Sequence, residues 1–527
     1  MRTDTSLRIN IRRRLGSAVG LAALLFVTTA CGGSGADEQS GNRDELKIAY
    51  VGGPASLDPH LVRPGIHSYL FPLYDRLVQY DNEFNIKPML ASSWTWANDG
   101  SYLDLKLRED VDFHDGTHFD AAAVKANIER GKQIKGSNVA LDLESIESVA
   151  VVDKYTARLN FATGKGSDVL DRLAKPAGMM ISPAVIKSGT EIGIGKSDAG
   201  SGPYVVQDHD PQTFVRYVKS NQKHWDEQNV SAFKSIELTY VLDGATRQNG
   251  VRSGEFDLAQ ITGDDAIRAK KQAEAGAFKA FDSPQIHAHT ILLRNQGALS
   301  DIRVRRAIEQ AIDKEGIGRD IYEGTCKPND FIYQPTNSVF DPEYKDPFPY
   351  DPSAAKSLLA DAGYTSDKKL NFTIVTQKGS SYAPLAEVVQ AQLAAVGINA
   401  KVQLYPAEEL NSLFASKKID NQLYVFYGWP NPGIMFSDYF VGENSKDLAG
   451  SDRSKLSFLK RAEDPATSDA DRTALYRKGL ETVIENSWVV PICNSTHTWI
   501  QPNESNLDLG KVVGFWYGSP DFSRNLG

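Results

Sequence analysis

The chain has 527 residues, 41% of them apolar, and a formal net charge of −9. That acidic balance argues against a nucleic-acid partner and against adhesion to an anionic membrane surface. The length exceeds what one hydrophobic core usually serves, so two or more lobes are expected.

In chain order, Arg2, Arg8, Arg12, Arg13 and Arg14 form a positive segment ahead of the apolar run from Leu15 to Ala30. That run is too short for a comfortable membrane span and ends in small residues, so residues 1–30 read as an export signal. The Arg13-Arg14 pair leaves the export route, general or twin-arginine, open. Cys31 directly follows Thr28-Thr29-Ala30 and resembles the lipobox cysteine of bacterial lipoproteins, although Val27 stands one position early for that pattern. The resemblance implies acylation of Cys31, palmitate-type chains each worth ~0.8 kcal/mol per buried CH₂, and a chain anchored on the extracytoplasmic face of the cell membrane. An ordinary secretory signal with an incidental cysteine is the plainer alternative. Residues 31–45, rich in Gly, Ser, Asp, Glu and Asn, then read as a flexible tether. Because residues 1–30 hold five arginines and Asp4, their removal leaves −13. Outside the cytoplasm the two remaining thiols, Cys326 and Cys493, would tend to pair, and a disulfide is expected over two separately buried thiols.

The folded part opens with Leu46, Ile48 and Tyr50, which alternate as in a strand and stop at Gly52-Gly53-Pro54. Leu103, Leu105 and Leu107 alternate likewise before a turn at Asp115-Gly116. "KSIELTYVLD" and "KLNFTIVTQ" predict further strands. Four segments predict helices. "SDIRVRRAIEQAIDKEGI" is capped by Ser300 or Asp301, and "YDPSAAKSLLADAGY" has Asp351 as N-cap, Pro352 in the first turn and Gly363 as stop. "APLAEVVQAQLAAVGIN" sets Leu385, Val388, Val389, Leu393 and Val396 on one face before Gly397, and the fourth runs from about Ser468 to Glu485. Strands alternating with helices indicate α/β layers.

Catalytic signatures are near misses. "GTEIGIGKS" (189–197) has five residues between its outer glycines where a phosphate loop needs four. His114, Asp115 and His118 have metal-ligating chemistry, but Asp-Gly between apolar residues is more simply a turn, and no metal or cofactor is expected. His287 and His289 lie on one side of a predicted strand, facing a cavity for hydrogen bonding or contact with a metal chelate. In "YVFYGWPNPGIMF" the prolines Pro430 and Pro432 end a strand, leaving Tyr427 and Trp429 on a loop suited to stacking on a ligand.

"SLDPH" (56–60), "LYDRLVQYD" (73–81), residues 86–128, "SGPYVV" (201–206), "RSGEFDL" (252–258), "DIRVRRAIEQAID" (301–313), "DPSAAKSLLADAGY" (351–364) and "VVQAQLAAVGIN" (388–399) occur in an order that resembles one family. It is that of the extracytoplasmic solute-binding proteins of peptide and nickel ABC importers (family 5). The resemblance implies an α/β, two-lobed periplasmic-binding-protein-like fold of the class II (cluster C) type, with an extra subdomain in lobe I. Mapped here, lobe I is 46–285 with 490–527, its subdomain about 76–199, and lobe II is 286–489. The implied function is a monomeric, non-enzymatic capture protein that closes on a small-molecule or peptide ligand and delivers it to ABC permease subunits. Ligand-lining positions implied by the resemblance are Gln260, Thr262, His287, His289, Tyr427, Trp429 and Asn431. Peptide binders of the family commonly carry an aspartate in the aromatic loop for the ligand's α-amino group. "GWPNPG" has only Asn431, so an oligosaccharide or nickel chelate competes with an oligopeptide as ligand. An exported hydrolase acting on peptides or glycans is the rival from another class.

Overall fold

The computed structural model describes residues 44–526 except 55, 63–64, 163, 191, 193–198, 211, 334–336, 379–381, 428–429, 443–444 and 512–519. The side chains of 264, 284–286, 408, 427 and 511 are likewise outside the described set. The export signal, Cys31, nearly all of the tether and most of 189–197 therefore lie outside the described residues. The first strand begins at Glu45, one residue before the expected boundary.

The frame is a nine-stranded sheet built on β1 (Glu45–Tyr50), β2 (Tyr204–Asp210), β3 (Phe214–Lys219), β4 (Ser235–Tyr240), β5 (Leu258–Ile261), β6 (Lys279–Leu293), β7 (Asn421–Tyr427) and β8 (Val489–Gln501). Their order is β7-β6-β8-β5-β1-β4-β3-β2, with a short strand at Lys327–Pro328 added to β8. β1 runs parallel to β4 and β5, and the remaining pairs are antiparallel. The sheet is in effect two half-sheets sharing β6 and β8. These two pair from Lys279↔Gln501 to Leu292↔Val489, with a register break between Asp282 and Ile286. On one side of the break β8 pairs β5, and on the other β6 pairs β7.

Because strand side chains alternate between faces, each half-sheet holds a core on each side. On one face Trp499 packs into a core with Leu46, Ile48, Tyr50 and Tyr69, while Ile291, Leu293 and Cys493 belong to a second core with Leu359 and Leu385. On the other face Ile500 joins Ala259 and Val251, and Ala288 and Leu292 join Phe426 and Phe436. Cys326 and Cys493 are joined in a disulfide with a Cα–Cα distance of 5.4 Å, set in the second core.

The predicted caps are present. Asp351 accepts from the Ser353 and Ala354 amides, Asp301 from Arg303, and Ser468 from Asp471. Gly363 and Gly397 end their helices at φ 86° and 98°, a conformation that favours glycine. Strands Ala91–Trp96, Tyr102–Leu107, Thr156–Phe161 and Ile146–Asp153 form a separate antiparallel sheet beneath the helix Ala121–Gln133. Next to it, the Asp115-Gly116 turn closes with the Gly116 amide donating to Phe113 O (2.8 Å). His114 is engaged by the Gly202 carbonyl (2.7 Å) and His118 by Asp112 (2.7 Å), so the two histidines are held apart by different partners.

Candidate ligand site between two cores

The face of β6 and β8 that carries Trp499 at one end and Cys493 towards the other is polar between them. His287 lies opposite Ser495, and His289 opposite Cys493. With Gln260 opposite Trp499, the alternation brings Gln260, His497, Ser495, His287 and His289 onto one face. This row sits where the first core ends and the second begins. Gln260 Nε2 donates to His497 Nδ1 (3.2 Å), and the His497 and His287 rings meet edge-on with centroids 4.0 Å apart. His289 Nε2 is 2.8 Å from Ser495 Oγ, and its ring lies against those of Tyr322 (5.4 Å) and Tyr382 (5.8 Å).

Burial sets the charge of the row. His289 and His497 are each pushed down to about 4 by desolvation. His287 falls well below its ordinary value, first by burial and then by the neighbouring His497 and His289. All three imidazoles are therefore neutral at pH 7, each offering one donor and one acceptor nitrogen. His289 is 5% exposed, and its Nδ1 has no hydrogen-bond partner among the described residues.

Of the positions the sequence singled out, Gln260, His287 and His289 come together in this row, and Thr262, half-buried, follows β5 by one residue. Tyr427 pairs with His287 through the backbone, but its side chain, like the whole of Trp429, lies outside the described residues. Asn431 is held at both ends of its side chain. Its Oδ1 caps the helix Pro432–Phe436 through the Gly433 amide (2.8 Å), and its Nδ2 donates to Asp171 (2.9 Å), a residue 260 positions earlier. Sequence reasoning missed His497, Ser495, Tyr322 and Tyr382. A signal for the first two was available: the run Asn494–His497 is a polar, half-buried interruption in a strand that is otherwise buried.

The family model described as bacterial extracellular solute-binding proteins, family 5 middle, matches residues 85–447. The chain belongs to this family. Its members are the substrate-binding components of ABC transporters and work outside the cytoplasm. Among curated relatives, the glutathione-binding protein GsiB of Escherichia coli O1:K1 is 28% identical over 487 residues, covering 87% of this chain and 92% of the relative. Among solved structures, NikA from Brucella suis in complex with Fe(III)-EDTA superposes with a TM-score of 0.79 at 24% identity, covering 92% of this chain and 100% of that one. A dipeptide-binding protein from Pseudoalteromonas sp. SM9913 in complex with Met-Leu gives 0.76 at 20% identity, covering 92% and 100%. These neighbours share the two-lobed α/β fold described above. Among the described residues no helix is long and apolar enough to cross a membrane.

Proposed function

We propose that the protein captures a short peptide between its lobes, closes on it, and delivers it to the permease subunits of an ABC importer. The observation that carries this reading is the uncharged polar row Gln260–His497–Ser495–His287–His289 at the junction of two apolar cores, with Gln260, His287 and His289 buried and Ser495 and His497 half-buried. Such a row suits a ligand that presents amide and carbonyl groups, because each imidazole, hydroxyl and amide supplies a donor and an acceptor. The likeness to the glutathione-binding protein GsiB supports a peptide of about that size.

In this reading lobe I comprises 46–285 and 490–527, with the subdomain 76–199, and lobe II comprises 286–489. The register break between Asp282 and Ile286 falls beside that border and suits a hinge. Thr262, Tyr427, Trp429 and Asn431 complete the lining, and Cys31 carries a diacylglycerol that keeps the protein at the membrane. The protein works as a monomer.

A metal chelate is the second reading. It is favoured by the three neutral imidazoles, which can contact a metal that arrives on its own chelator, while no group of three ligands among the described residues is placed to hold a metal by itself. A hydrolase is disfavoured. Ser495 and His289 stand at the reach of a nucleophile and its base, but at about 4 His289 is too weak a base near neutral pH, and no described group orients its Nδ1.

A thermal-shift screen with glutathione, dipeptides, tripeptides and nickel–histidine separates the readings, because a ligand of the folded state stabilises by RT ln(1 + [L]/Kd). A shift with peptides alone is expected, a shift with nickel–histidine alone replaces the first reading by the second, and no shift with either class overturns both. Trp429→Ala is expected to weaken the responding ligand by ~1 kcal/mol or more through lost stacking, read by calorimetry.

A further inference from the structure

Residues 165–175 of the subdomain and residues 431–463 meet in a buried polar contact. Asp171 accepts from Tyr80 Oη (3.0 Å) and from Asn431 Nδ2 (2.9 Å). Arg172 is gripped by Asp168 (2.6 Å) and Asp142 (3.0 Å) on its own side and by Asp438 (3.4 Å) across the contact. Lys175 is bound to Asp142 (3.1 Å). Ser167 Oγ donates to the Ala462 carbonyl (3.2 Å) and the Ser167 amide to the Glu463 carbonyl (3.4 Å). The contact thus gathers Asp142, Asp168, Asp171, Asp438 and Glu463 against Arg172 and Lys175, with Lys165, Lys446 and Lys460 at its edges. Five carboxyls thus meet two cations set among them and three at the edges, and Asp142 is held low because Lys175 and Arg172 outweigh its burial.

We propose that this contact is a proton-operated latch: the two lobes close on it with uptake of protons and part more readily as the pH rises. The proposal rests on the closing-lobe reading given above. Its physical basis is that a carboxyl buried in the contact keeps a proton, and releases it when the surfaces separate into water. Glu463 is pushed up to about 7, first by burial and then by Asp168, while Asp171 and Asp438 are raised chiefly by burial. In the parted state these carboxyls return towards the ordinary range, so closing binds protons and is favoured below neutrality. Lys446, lowered to about 8 by burial, acts in the opposite sense only around and above that pH. His67, which faces Lys175 and Asp142, is held at about 3 by burial and stays neutral throughout. Tyr80 is raised by burial and by Asp171, and does not titrate there either.

Small-angle scattering of the ligand-free protein between about pH 5.5 and about pH 8 reads the latch directly. The radius of gyration is expected to rise with pH across that range. Glu463→Gln, which fixes that group in its uncharged form and leaves the Arg172–Asp438 ion pair in place, is expected to abolish most of that change. A radius that does not respond to pH, or a response that Glu463→Gln leaves intact, overturns the latch. Addition of glutathione at fixed pH keeps the two readings apart. Compaction by glutathione without any pH response removes the latch and leaves the peptide-capture reading standing. Absence of compaction under every condition removes the closing-lobe reading and the latch with it.

Discussion

The histidine row and the Arg172 contact are both polar regions largely withdrawn from water, yet they resolve the cost of burial in opposite ways. In the row, desolvation prevails and His287, His289 and His497 give up their charge. In the contact, Arg172 keeps its charge because burial is outweighed by Asp168, Asp438 and Asp142. A neutral row can exchange hydrogen bonds with an uncharged ligand at little electrostatic cost. A charged contact holds only while every partner is in place, because a buried ion that loses its partner is strongly destabilising. In the proposed reading, the region that takes the ligand is uncharged and the region that reports closure carries ion pairs.

The largest expected way to disturb one side of this comparison is beneath the row. Cys493 sits opposite His289 in the ladder, and its bond to Cys326 closes a sequence separation of 167 residues. Replacing both cysteines by serine is expected to lower the unfolding free energy by roughly 4–5 kcal/mol on a chain-entropy account. Urea denaturation at pH 7 measures it, and the hydrogen bonds around Arg172 should survive in the folded variant. An unchanged urea midpoint would show that the packing around Tyr322 and Leu385 holds the row without the bond.

Acid separates the two regions next. His289 and His497 have folded values near 4 against an ordinary 6.5, so their contribution is fully present above 6.5 and is lost as the pH falls through 4. A drop of that size corresponds to roughly 3 kcal/mol for each histidine. His497→Gln removes one of the two, so its stability should fall less than that of the parent between about pH 7 and about pH 4.5. If the parent and His497→Gln lose the same stability over that range, His497 is not held neutral by the fold.

The same contrast explains how much was visible in the sequence. Local features were readable because their causes are local: Asp351, Asp301 and Ser468 cap the helices they precede, and Gly363 and Gly397 terminate theirs. The shared face of His287 and His289 follows from strand alternation alone. The rest of the row does not, because His497 and Ser495 arrive from a strand about two hundred positions later, and only the pairing of β6 with β8 brings them in. Asn431 shows the same limit from the other side. Its place in an aromatic loop says nothing of the hydrogen bond that its amide donates to Asp171, 260 positions earlier. No periodicity in either segment encodes that meeting.

Asn431 also gives the smallest and most discriminating test, since one side chain serves a local purpose and a distant one. Asn431→Ala removes the N-cap of Pro432–Phe436 and the donor to Asp171 together, and is expected to cost about 1–2 kcal/mol in thermal or urea unfolding. Asn431→Ser keeps a capping oxygen but is too short to bridge to Asp171, so it should recover most of the lost stability. If closure depends on the bridge, the serine variant will still bind glutathione more weakly than the parent despite its restored melting temperature. Should serine restore both stability and affinity, Asn431 acts only as a cap, and the hold across the contact is carried by Arg172 and Asp438.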